Sequence, residues 1–195
     1  MENKEEKFEL AQRQAKALSM STVIPKEYQN NIPNTMVALE MAQRIGASPL
    51  MVMQNLHIIH GKPSWSSTFI IAALNSCGRF TALRFDMQKD KCRALANEIS
   101  TGEVLEGPWI TLEMAKSEGW STKPGSKWKT MPELMMRYRA AAFFGRLYAP
   151  EIMMGMYSEF EQQDMQQNKA TQIQELIKPI DESPQDDSSS PDQNP

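Results

Sequence analysis

The chain is poor in the residues that perform covalent or metal chemistry. Of its 195 residues two are cysteine and two are histidine. Cys77 and Cys92 are too few for a disulfide framework, and the apolar surroundings of Cys77 predict a buried free thiol; both read as structural. His57 and His60 stand three apart on a predicted strand, hence on opposite faces, with no cysteine or carboxylate cluster to complete a zinc shell. Gly61-Lys62 is followed by Pro63 and lacks the upstream glycines that let backbone amides cradle a phosphate, so no nucleotide-binding P-loop is present. There is no activated-serine elbow. The expectation is a protein with no cofactor and no bond-breaking chemistry. Glu98, Glu103, Glu106 and Glu113 together suit a solvated sheet face better than a two-metal nuclease site. No apolar run approaches the ~18 to 20 residues of a membrane span. The opening MENKEEKFEL is too charged for a secretory signal, so the expected location is the cytoplasm.

What the chain does have is an uneven distribution of charge. The net charge is −3, but residues 1–20 are balanced, residues 21–150 carry fifteen Lys or Arg against ten Asp or Glu, and residues 151–195 carry two against ten. Lys123, Lys127, Lys129, Arg137, Arg139 and Arg146 face a single carboxylate, Glu133, between positions 123 and 146. That window accounts for the whole positive excess of the central region. A local basic face of this kind points toward nucleic acid, whatever the acidic overall balance.

The order of elements predicts an α+β fold. Residues 1–20, rich in Glu, Lys, Gln and Ala, form a helical extension that ends at Ile24-Pro25. Asn34 is placed to cap a helix closed by Gly46, and Ser48 with Pro49 starts another. LHIIHGKPSW reads as two short strands around a turn at Gly61 and Lys62, and Ser66 opens an apolar helix closed at Gly78. Alternation over Leu83–Met87, Cys92–Ala96, Val104–Glu106 and Trp109–Leu112 predicts an antiparallel meander. Glu113 to Gly119 forms a short helix. Thr130 and Glu133 form a capping-box pattern for a long helix that carries Pro132 in its first turn. Met135, Arg139, Phe143 and Arg146 share one stripe of that helix, and Ala140, Ala141, Ala142 and Gly145 leave room for a close neighbour. Most of the fifteen methionines, among them Met36, Met51, Met53, Met135 and Met136, are expected in the core.

The core is thus placed at residues 21–160, followed by a Gln-rich helix over 161–178. The last stretch, residues 179–195, is acidic and rich in Pro and Ser, and has too little apolar surface to order itself.

Charged residues on a helix are often no more than its wet face. Two features favour binding here: apart from Glu133, which stands four residues from both Lys129 and Arg137, the cations lack i, i+4 carboxylates, and they are interleaved with Trp128, Tyr138, Phe143 and Phe144, flat groups that suit unpaired bases. Trp128, Thr130, Pro132, Met135, Arg137, Arg139 and Ala140 fall in the register W-x-T/S-x-P-x-x-M-x-R-x-K-A, with Arg139 in place of the lysine, and Arg146 stands seven residues beyond Arg139. In this the chain resembles the phage single-strand annealing proteins of the RecT and lambda Beta type. The resemblance is strong over the window and loose over the rest of residues 20–160.

The resemblance implies a Rad52-like core of antiparallel strands packed on a long helix. It also implies homo-oligomeric rings or filaments and ATP-independent annealing of single-stranded DNA through a duplex intermediate. Arg139 and Arg146 match basic residues of that family's DNA groove. Where the lambda Beta pattern has basic residues after the motif proline this chain has Glu133 and Leu134, and Lys127 and Lys129 stand in for the lost charge. The family's partners are a phage exonuclease and a host single-strand binding protein; the region that docks on the latter is reduced here to the Gln-rich segment and acidic tail.

The full DNA-binding set expected is Lys127, Lys129, Arg137, Arg139 and Arg146 on phosphates, with Trp128 stacking or shaping the loop. About five neutralised phosphates give a log K against log salt slope of roughly −3 to −4. The alternatives are a single-strand DNA-binding accessory module that does not anneal and, less favoured, a metal-dependent nuclease. The tail reads as solubilising, with a DNA-mimicking cover over the groove as the alternative.

Overall fold

Short polar side chains set the start of most helices in the computed structural model, which describes residues 3–165. Asn3 caps α1 (Lys4–Ser19), Asn31 caps α2 (Ile32–Ile45), Ser48 caps α3 (Pro49–Asn55) and Ser66 caps α4 (Ser67–Ser76), each accepting a first-turn N–H that has no partner within the helix. Asn34 is therefore not a cap. Its own N–H donates to Asn31 Oδ1 at 3.0 Å, because the helix starts three residues earlier with Pro33 in the first turn.

Between α3 and α4 lies the hairpin of β1 (Leu56–Ile59) and β2 (Lys62–Trp65). His60 and Gly61 both have positive φ, 49° and 77°, so the turn sits one residue earlier than the sequence suggests, as a two-residue hairpin turn requires. A short strand, β7 (Tyr157–Ser158), adds in parallel to Ser64 and Trp65, beyond Pro63 and its missing donor.

The second sheet contains β3 (Arg84–Met87), β4 (Lys91–Asn97), β5 (Val104–Glu106) and β6 (Ile110–Thr111). All pairings are antiparallel, but β6 returns to pair with β4 rather than with β5, so the sheet is not a simple meander. After it come α5 (Leu112–Ser117), α6 (Lys127–Thr130), α7 (Pro132–Tyr148) and α8 (Pro150–Met153). Residues 159–165 are again helical, here called α9.

The core forms where α7 crosses β4. Cys92, Ala94 and Ala96 alternate inward and are fully buried, as are Ala140, Ala141, Ala142 and Phe144 of the helix. Small side chains on both sides let the backbones approach. At Gly145 an added Cβ would lie 3.0 Å from Met153 Sδ and 3.4 Å from Leu74, so a side chain there would make the Met153 side chain give way by a few tenths of an ångström. Aromatic pairs fill the remaining volume: Trp65 stacks on Phe69 at 4.5 Å, and Phe80 meets Phe144 edge-on at 5.6 Å.

The α+β class with antiparallel sheets matches the sequence expectation at that level. Three local expectations do not hold. Thr130 does not cap α7: it is the last residue of α6, and the cap position falls to Met131, which makes no side-chain cap bond. Pro132 follows directly and brings no N–H that needs a partner. Cys77 is exposed just past the end of α4, with Sγ directed to the Leu74 carbonyl, while Cys92 is the buried thiol. Met51 is 43% exposed on the outer side of α3. Most of the Gln-rich segment and all of the acidic tail lie outside the described residues. Among the described residues no helix is long and apolar enough to cross a membrane.

Candidate functional site

The run Ser158-Glu159-Phe160-Glu161 is a capping box that opens α9. Glu161 N–H donates to Ser158 Oγ at 3.3 Å, and Glu161 Oε2 accepts from Ser158 N–H at 3.1 Å and from Ser158 Oγ at 3.0 Å. This fixes the Glu161 carboxylate against α7, where Arg146 grips it with both arms at 2.6 and 2.9 Å. Arg139 Nη1 lies 3.6 Å from the same carboxylate, and Arg139 Nη2 donates to Asp164, one turn further along α9. Lys123 closes the network with its ammonium 2.9 Å from both the side chain and the carbonyl of Asp164.

Arg139 is 5% exposed and Glu161 3% exposed, so their contacts are made with little water to screen them. The Arg139 guanidinium sits 3.9 Å from the Trp120 ring and 5.8 Å from Trp128, and the two indoles are themselves 5.3 Å apart. Arg146 lies over Phe143 at 4.6 Å and near Tyr157 at 5.3 Å. Burial pushes the Glu161 carboxyl upward, but the Arg146 hydrogen bonds and the charges of Arg139 and Arg146 outweigh it and hold the group below its ordinary value. Burial lowers the pKa of Arg139, opposed by Glu161 and Asp164. Glu159, beside them, behaves oppositely: burial raises its pKa while it accepts from Ser67 Oγ at 3.2 Å.

No protein-family model and no curated protein matches the chain.

The six window cations therefore divide into two sets. Lys123, Arg139 and Arg146 turn inward onto two carboxylates, and Trp128 is 4% exposed behind them. The expectation that Arg139 and Arg146 stand open to phosphate, with Trp128 open to bases, does not describe this arrangement. The stripe they share is the one on which α9 docks. Trp128 shapes the loop instead of presenting a face. Lys127 and Lys129 are exposed on either side of it, and Arg137 is half-buried at the start of α7; none has a carboxylate within ion-pair distance among the described residues. Arg137 is close enough to Cys92 to oppose the burial that pushes that thiol up to about 11.

Glu161, Asp164 and Trp120 are the residues that sequence reasoning missed. The S-x-x-E spacing at 158–161 is a legible helix start, and it signals a fixed carboxylate beyond the window. The strand glutamates have ordinary partners: Glu98 pairs with Arg79 at 3.1 Å and Glu106 with Arg93. Among the described residues no group of three His, Cys, Asp or Glu side chains is arranged to hold a metal.

Proposed function

We propose that the chain binds single-stranded DNA without reading its sequence and promotes the pairing of complementary strands without nucleotide hydrolysis. The observation that carries the reading is the division of the basic window. Two carboxylates within the chain serve the inner cations, and Lys127, Lys129 and Arg137 are left unpaired among the described residues. Unpaired cations on a solvent face release counterions when they meet phosphates, and that grip leaves base edges free to test a second strand. Residues 3–165 hold nineteen Lys and Arg against seventeen Asp and Glu, whereas residues 166–195 hold two against six, so the positive surplus lies within residues 3–165. A long helix packed across an antiparallel sheet is also compatible with the Rad52-like core that the resemblance implies. On this reading the protein works as a homo-oligomer, and Arg139 and Arg146 hold the groove's wall together rather than line it.

The test is the rate at which labelled complementary oligonucleotides pair, with no ATP and no divalent cation. Acceleration that is lost when Lys127, Lys129 and Arg137 are all changed to Ala supports the proposal. Coating without faster pairing would mark a non-annealing accessory protein, and cleavage on adding magnesium or manganese would mark a nuclease.

A further inference from the structure

We infer that Trp109 is a stacking platform for a nucleobase on the open face of the second sheet, and that Lys91 leaves its ring to take the neighbouring phosphate. The inference rests on the single-strand DNA reading above and assigns it a contact far from the basic window in sequence.

Three of the four tryptophans are buried: Trp65, Trp120 and Trp128 are 1%, 8% and 4% exposed. Trp109 is half-exposed. It precedes Ile110, which is fully buried opposite Cys92, so the alternation of the strand sends the indole to the other side of the sheet from α7. On β4 the same alternation turns Lys91 and Arg93 outward, and both reach the ring, with Lys91 Nζ at 4.5 Å and Arg93 Cζ at 4.6 Å from its centroid. This face lies open: Arg84, Glu106 and Val104 on it are exposed, Val104 by 49%.

The two cations are held differently. Arg93 is fixed by Asp86 at 3.2 Å and by Glu106, so it stays against the indole. Lys91 has no carboxylate partner among the described residues and only the ring to hold it. Lys91 and Trp109 are both half-buried, and a lone ammonium on a ring still partly in water is held more weakly than a base stacked on an aromatic ring, so a base can displace it. The freed charge then lies beside the strand's own phosphates. Every base has a π-face, so the contact suits a strand of any sequence.

The experiment uses the full chain, oligothymidine, and inorganic polyphosphate as a backbone-like probe without bases. With three tryptophans buried, quenching of the intrinsic emission reports chiefly on Trp109. Oligothymidine is expected to quench it and polyphosphate is not. Trp109→Ala should abolish the quench and weaken oligothymidine binding about tenfold while sparing polyphosphate; Trp109→Phe, which keeps a ring, should retain most of the affinity. Oligothymidine binding seen by anisotropy without any quench, or undiminished in Trp109→Ala, overturns the platform and leaves the DNA-binding reading in place. Failure of the wild-type protein to bind oligothymidine at all overturns that reading, and the platform with it.

Discussion

Replacing Glu161 with Gln tests whether the inward-turned arginines hold the fold together. The carboxylate accepts two hydrogen bonds from Arg146 and two from Ser158, and lies 3.6 Å from Arg139. In the variant, Asp164 still pairs with Lys123 and Arg139, while Arg146 loses its carboxylate. Removing one partner of a buried ion pair costs about 3 to 5 kcal/mol, because the remaining charge is left without compensation. The lower end applies here: Arg139 keeps Asp164, and Arg146, whose side chain is 29% exposed, can turn toward water. A loss of about 3 kcal/mol corresponds to a fall in Tm of roughly 6 to 12 °C for a chain of this size. Thermal and urea unfolding followed by circular dichroism measure it.

The pH dependence supplies a second check. The folded-state pKa of Glu161 lies below its unfolded value, so its contribution is present above the ordinary carboxylate range and is lost as pH falls through that range toward the folded value. The gap between wild type and variant should therefore be widest near neutrality and shrink on acidification. A neutral-pH loss under about 1 kcal/mol, or a gap that acid leaves unchanged, would refute the clamp. If Glu161 were instead a decoy for phosphate, the variant would bind DNA more tightly and keep its stability.

Arg139→Lys should cost about 2 to 3 kcal/mol in the same unfolding assay, since an ammonium cannot reach both carboxylates and stack on Trp120 at once; full stability would show that charge alone matters there. A thiol reagent at pH 8 should modify one cysteine of the native protein quickly, Cys77. Cys92, buried and pushed up to about 11, should react only on unfolding, and two fast equivalents would contradict the packing of β4 on α7.

Element types were legible where local chemistry decides them. Ser48, Gly46 and Ser66 mark helix ends in the sequence and do so in the fold, and the alternation around Cys92, Ala94 and Ala96 reports the inward face of β4. The direction in which α7 presents its arginines was not legible from that helix. A stripe with Arg139 and Arg146 looks wet until a second element brings buried carboxylates to it, and Glu161 and Asp164 come from a helix beyond the window. Composition also misled for Cys77, whose apolar neighbours belong to α4 while the thiol itself lies just past its end in solvent.

The outer cations carry the account, and the salt dependence of oligothymidine binding tests them most directly. With Lys127, Lys129 and Arg137 on the phosphates and Lys91 as a fourth contact, four neutralised charges give a slope of log K against log salt near −3, about −0.7 per contact on a single strand. The slope should move to about −0.7, the Lys91 contact alone, when Lys127, Lys129 and Arg137 are all changed to Ala, and stay near −3 in Glu161→Gln. A slope near zero for the wild-type chain, or one that the triple substitution leaves unchanged, would contradict the account.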